Sequence, residues 1–215
     1  MANRNLSSAL YRIFLASVFF LLMASSAPQP TSEYDAAEVE ITHASQLFLK
    51  GKTNINHFSC YSTESYPRLK VAYEVNETNR KVIFTPAVLR LTVDLMDCGQ
   101  KEINRDMQEA LNAETFPHIF IQLNSLTFTQ DFASLKEGQW QNISAETFIK
   151  IAGVSRPARV SLKACKSGQN GLIITGKQNL LMTDFNITPP TTLMGLIRVQ
   201  DEIEIHFDLR MRINK

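Results

Sequence analysis

Few of the residue patterns that announce chemistry occur in this chain of 215 residues. It has three cysteines, Cys60, Cys98 and Cys165, and their spacing matches neither a zinc site nor a Cys-x-x-Cys redox pair. Its four histidines, His43, His57, His118 and His206, stand far apart. With no His-x-His or His-x-x-x-His pair among them, they read as surface or satisfied core residues, not metal ligands. There is no Gly-x-Ser-x-Gly elbow and no glycine-rich phosphate loop. Glu202 and Glu204 alternate with Ile203, which reads as a solvated strand face. Asp184 is the one acid in an apolar, proline-rich stretch and reads as a turn residue, with contact to a polar ligand group as its sharper role. No catalytic residue, metal ligand or cofactor is therefore assigned.

Net charge is also scarce. Lys+Arg number 22 against 21 Asp+Glu, which argues against nucleic acid as a partner, because phosphate binding needs a basic footprint. Long hydrophobic runs are missing too. The run Ile13 to Met23 is short for a membrane span. It follows Arg4 and Arg12 and precedes the small residues Ala24, Ser25, Ser26 and Ala27, the layout of a cleaved secretory signal peptide over 1–27. An uncleaved anchor is the other reading. Cleavage leaves 20 basic residues against 21 acidic ones and predicts a periplasmic or secreted protein. Export makes a disulfide reasonable, and three thiols allow one pair and one left over. Residues 28–37, with Pro28, Pro30, Thr31 and Ser32, read as a flexible leader, and 38–215 as one domain.

What the chain does have is alternation. At its C-terminal end Ile203, Ile205, Phe207, Leu209, Met211 and Ile213 alternate with Glu204, His206, Asp208, Arg210 and Arg212, one buried and one wet face of a long strand. Leu89 to Leu95 and His118 to Leu126 alternate likewise. A Gly51-Lys52 link suggests one hairpin, Asn76 to Asn79 a second and Gly168 to Gly171 a third. Between the strands, Ile103, Met107, Ala110 and Leu111 recur at spacings of three and four, an amphipathic helix with Asn104 as a candidate N-cap and Pro117 beyond its end. Strands that follow one another directly make an antiparallel sheet. Eight or nine of them close most naturally into a barrel, which is then either filled by side chains or hollow enough for one small ligand.

Five stretches, in order, resemble a known family. These are Thr53-Asn54-Ile55-Asn56-His57-Phe58; the helix and strand start from Met107 to Phe120; Ile151-Ala152-Gly153-Val154-Ser155-Arg156-Pro157; Met182-Thr183-Asp184-Phe185-Asn186-Ile187; and Val199-Gln200-Asp201-Glu202-Ile203. Together, from about Ala44 to Leu209, they resemble the YceI-like secreted lipid-binding proteins. The resemblance implies an all-β, eight-stranded, lipocalin-like antiparallel barrel, one end covered by the amphipathic helix. It further implies a long-chain isoprenoid, quinone-like or other lipid as the bound partner, held without turnover, and leaves a homodimer open. The candidate lining is Leu91, Val93, Met107, Leu111, Ile121, Ile205, Phe207 and Leu209. Competing readings are an interaction domain with a filled barrel and, less favoured, an isomerase or hydrolase of small apolar compounds. Two features depart from the pattern: Asn186 where glycine is expected, and a Cys60/Cys98 pair found in only a subset. Both cysteines stand at element ends, so a Cys60–Cys98 disulfide is expected, with Cys165 free.

Overall fold

The computed structural model describes residues 34–130, 136–192 and 196–214. The expected signal peptide lies outside the described residues. So do residues 28–33 of the expected leader, while its Asp35, Ala36 and Ala37 are already strand. Among the described residues are twelve strands and one α-helix, all strand pairings antiparallel: β1 (Asp35–Ile41), β2 (Gln46–Thr53), β3 (His57–Ser62), β4 (Leu69–Asn76), β5 (Lys81–Thr92), β6 (Met96–Asp97), α1 (Lys101–Ala110), β7 (His118–Phe128), β8 (Trp140–Ile151), β9 (Val154–Lys166), β10 (Gly171–Leu181), β11 (Thr191–Thr192) and β12 (Ile197–Asn214). Eight of them form a ring in the order β1-β4-β5-β7-β8-β9-β10-β12, which a β1–β12 pairing closes. The eight-stranded antiparallel barrel read from the sequence is thus present, though not evenly round.

The unevenness comes from β12. Its 18 residues span roughly 60 Å at about 3.3 Å per residue, longer than any one neighbour. Along one edge it pairs first with β2, from Val199 to Asp208, and then with β1, from Met211 to Asn214. Arg210 falls between the two partners. Its N–H donates to Ser45 Oγ at 2.8 Å, and the Ser45 hydroxyl donates to its carbonyl at 3.2 Å, so both backbone groups are satisfied where the ladder changes hands. From β2 the sheet runs on through β3 to β6, and this extension flanks the end of the ring that α1 covers.

Several local expectations shift. The β2–β3 turn lies at Asn54–Asn56, not at Gly51-Lys52, and Thr53 Oγ1 accepts the N–H groups of Ile55 and Asn56 at 3.2 and 2.8 Å. Gly51 is instead a cross-strand seat for the Phe58 ring, since a Cβ there would lie 2.2 Å from Phe58 Cζ. The alternation from Leu89 stops at Thr92, where the Glu64 carboxylate accepts the backbone N–H at 2.8 Å. Val93 therefore sits in a 3-10 turn, Val93–Leu95. Asn104 does not cap α1: the N-cap is Gln100, and Asn104 Oδ1 accepts the Cys98 N–H at 2.7 Å. Ala152 and Gly153 both have positive φ, the conformation a tight two-residue hairpin needs. Asn186 takes the left-handed conformation at φ 58° after a second 3-10 turn, Met182–Phe185, which explains why glycine or asparagine suits that position.

The core fills the middle of the ring. Leu91, Ile119, Ile121, Ile143, Ile149, Val160, Ile174 and Phe207 form one buried cluster, with Ile205, Leu209, Met211 and Ile213 packed against it. Cys60 and Cys98 are joined by a disulfide, as expected, and Cys165 is free and buried.

Candidate ligand cavity

The helix covers the end of the ring without filling it. Its apolar stripe of Ile103, Met107, Ala110 and Leu111 faces inward, yet no residue of α1 is fully buried. Beneath the stripe lies a cavity of about 810 Å³, within the range of about 300–1,000 Å³ usual for small-molecule sites. Its floor is the inward residue nearest the helix end of several strands: Ile119 at the start of β7, Ile151 at the end of β8 and Leu180 near the end of β10. One wall is Ile203 and Ile205 of β12, and another is Leu49 and Phe58 of β2 and β3. Phe185 and Ile187 supply a third. Polar groups sit at the rim, among them His57, Glu102, Arg105 and Asp106.

Specific bonds hold these walls. The Cys60–Cys98 bridge ties β3 to the residues just before α1, and it packs with Met96, Leu49, Phe58, Ile103 and Met107. Asp97 Oδ1 accepts the Gly99 N–H at 2.9 Å and the Asn104 amide at 3.3 Å; these two bonds hold its carboxyl below the usual carboxylate range. Across the cavity, Asp201 accepts both Thr183 Oγ1, at 2.6 Å, and the Thr183 N–H, at 2.9 Å. Those bonds lower its pKa in the same way and pin the Met182–Phe185 turn to β12.

Of the residues assigned to the lining from sequence, Met107, Leu111 and Ile205 border the cavity. Leu91, Val93, Ile121 and Phe207 are instead buried in the packed core, and Leu209 lies half-buried against it. Unassigned from sequence were Phe58, Ile119, Ile151, Leu180 and Phe185. Their signal was position: each stands at the helix end of its strand or in the segment just beyond it.

The acids and histidines meet only in pairs among the described residues, as where His206 Nε2 bonds the Glu204 carboxylate. Among the described residues no group of three or more His, Cys, Asp or Glu is placed to hold a metal ion. His43 and His57 are exposed, and His206 stacks on Phe48 with 4.6 Å between ring centroids. Glu204 bonds Lys177 at 2.6 Å, which lowers its pKa first of all, and Glu202 accepts the Asn179 amide. Among the described residues no helix is long and apolar enough to cross a membrane.

No family model matches the chain, and no curated protein matches it. Solved structures do. A polyisoprenoid binding domain from Saccharophagus degradans, implicated in plant cell wall breakdown, superposes with a TM-score of 0.59 at 12% identity, covering 82% of this chain and 97% of that one. Burkholderia cenocepacia BcnA superposes with a TM-score of 0.58 at 14% identity, covering 77% and 95%. A Campylobacter jejuni YceI protein gives a TM-score of 0.46 at 12% identity, covering 65% and 78%. At such identities the likeness is one of fold.

Proposed function

We propose, for a chain that has the YceI-like fold and leaves an apolar cavity open beneath its helix, that it binds one long-chain isoprenoid, quinone-like or related amphiphilic lipid and carries or sequesters it without turnover. The observation that carries this reading is the unfilled space: the Met107 and Leu111 side chains face about 810 Å³ that no protein group occupies. A helix stripe facing empty apolar space leaves surface that an apolar ligand would cover. The fold shared with a polyisoprenoid binding domain supports the same class of ligand. We further propose that it acts outside the cytoplasm, in keeping with the signal-peptide layout of 1–27 and with the disulfide.

The test is direct. Protein purified without detergent is extracted with organic solvent, and the extract is analysed by mass spectrometry, with one lipid per chain expected. Delipidated protein is then titrated with a series of isoprenoid chains. Each buried CH₂ contributes about 0.8 kcal/mol, so affinity should rise about fourfold per added CH₂ and level off once the cavity is full. Protein that carries no lipid and takes up none, whatever the chain length, would leave the interaction-domain reading standing.

A further inference from the structure

Pairing between β9 and β10 covers only part of their length. The register runs from Leu172 opposite Lys166 to Gly176 opposite Leu162 and stops there. Beyond that point β9 stays paired with β8 as far as Val154, and β10 stays paired with β12 as far as Leu181. The wall of the ring is therefore open between Val154–Ser161 on one side and Lys177–Leu181 on the other. A groove of about 390 Å³ occupies the opening. Leu180, Leu181 and Phe185 border both this groove and the cavity beneath α1, so one layer of side chains separates the two spaces.

The polarity of the opening is out of keeping with the wall around it. Directly opposed residues of antiparallel strands point to the same face. Arg156 is opposite Ile149, which is fully buried, yet Arg156 itself is exposed. Gln178 is opposite Ile205, a cavity residue. On the inward face from Val154 to Ala164 and from Leu172 to Leu180, Arg156 and Gln178 are the only polar residues, and both border the groove. Gln178 Nε2 donates one of its two N–H groups to the Asn179 carbonyl at 2.9 Å, which leaves the other for a ligand.

Arg156 Nε donates to the Asp184 carbonyl at 2.8 Å, which ties β9 to the 3-10 turn across the open end of the gap. Among the described residues no acceptor takes its terminal amino groups. Asp184 and Glu202 stand on the same rim as Arg156 and Arg159, and Arg159 is paired with Glu146, so the groove offers no surplus positive charge to a head group with several negative charges. An uncharged carbonyl oxygen, which only accepts, suits two donor side chains.

We propose that this opening is a side portal of the cavity, at which Arg156 and Gln178 receive the carbonyl-bearing head of an amphiphile whose chain lies beneath α1. The proposal rests on the lipid-binding reading above and adds to it the place and chemistry of the head. Its test uses the full protein and two probes of similar chain, a menaquinone with four isoprene units and the hydrocarbon phytane. Arg156→Gln and Gln178→Leu should each weaken the quinone about tenfold and leave phytane unchanged. In addition, a hexadecyl chain with benzophenone at one end should, on irradiation, label peptides within 154–161 or 177–184. Equal loss for both probes, no loss for either, or labelling of α1 and the Asn54–Asn56 turn instead would overturn the portal while leaving lipid binding intact. Failure of every probe to bind would overturn the lipid reading and the portal with it.

Discussion

Opening the Cys60–Cys98 bridge tests how the cavity end is held. The two cysteines are 38 residues apart. In the loop-entropy model, a closure of that length restrains the unfolded chain by about 4 kcal/mol at 25 °C. For a domain of this size each kcal/mol moves Tm by roughly 2–4 °C, so the expected fall is about 8–16 °C. Because Cys60 is fully buried, the bridge is best opened by unfolding in reductant and refolding with reductant present. Urea and thermal unfolding of the two forms then give the difference. The bridge also anchors the residues before α1 against β3, so hydrogen exchange should rise in Lys101–Ala110 and stay unchanged in β8 and β9, which it does not touch. Cys165 is free in both forms and drops out of the comparison. A loss under about 1 kcal/mol, or exchange that rises evenly over the whole sheet, would refute the idea that the bridge clamps the helix end.

Met107→Asp should cost about 1 kcal/mol of stability, well short of a buried charge, because Met107 is only half-buried over open space; lipid affinity in the titration above should fall at least tenfold. Phe207→Glu should act on the fold itself, costing several kcal/mol by burying an unpaired charge in the core, whereas Ile205→Glu should fold and lose the ligand, a contrast that urea melts and lipid titration separate. Gly51→Val should force the Phe58 ring off β2 and cost about 1–3 kcal/mol, read from the urea midpoint. Asp97 has its carboxyl held low by Gly99 and Asn104, so its contribution is present above its unfolded pKa and is lost as pH falls through the lower folded value; a stability curve from pH 6 to pH 2 should decline below about pH 4, and Asp97→Asn should flatten that decline.

Much of the fold was legible because period-2 patterning ties a residue's position to its face. The inward set of β12 from Ile203 to Ile213, the helix over Ile103 to Leu111 and the hairpins at Asn76–Asn79 and Gly168–Gly171 all follow from side-chain spacing and turn chemistry. The β2–β3 turn was misplaced for a physical reason. Glycine marks either a turn or a close approach, and Gly51 serves the second role, with the Phe58 ring over its Cα. The sharing of β12 between β1 and β2 was beyond local pattern altogether. It depends on Ser45 meeting Arg210, 165 residues away.

The cavity was less legible than the fold, because alternation reports which face is apolar and not whether protein fills the space in front of it. Leu91 and Ile121 alternate as cleanly as Ile205, yet both are buried in the packed core, Leu91 directly opposite the cavity residue Ile119. The same inward rows become a ligand wall only at the end that α1 covers, where Met107 and Leu111 border the cavity together with Ile119 and Ile151. Which end that is follows from the chain's path. The Cys60–Cys98 bridge draws the start of α1 onto β3, and Asp201 draws the Met182–Phe185 turn onto β12, so two covalent or charged ties hold the cover apart from the floor. An apolar space maintained in this way is a feature of three separated segments together, and no window of sequence contains it.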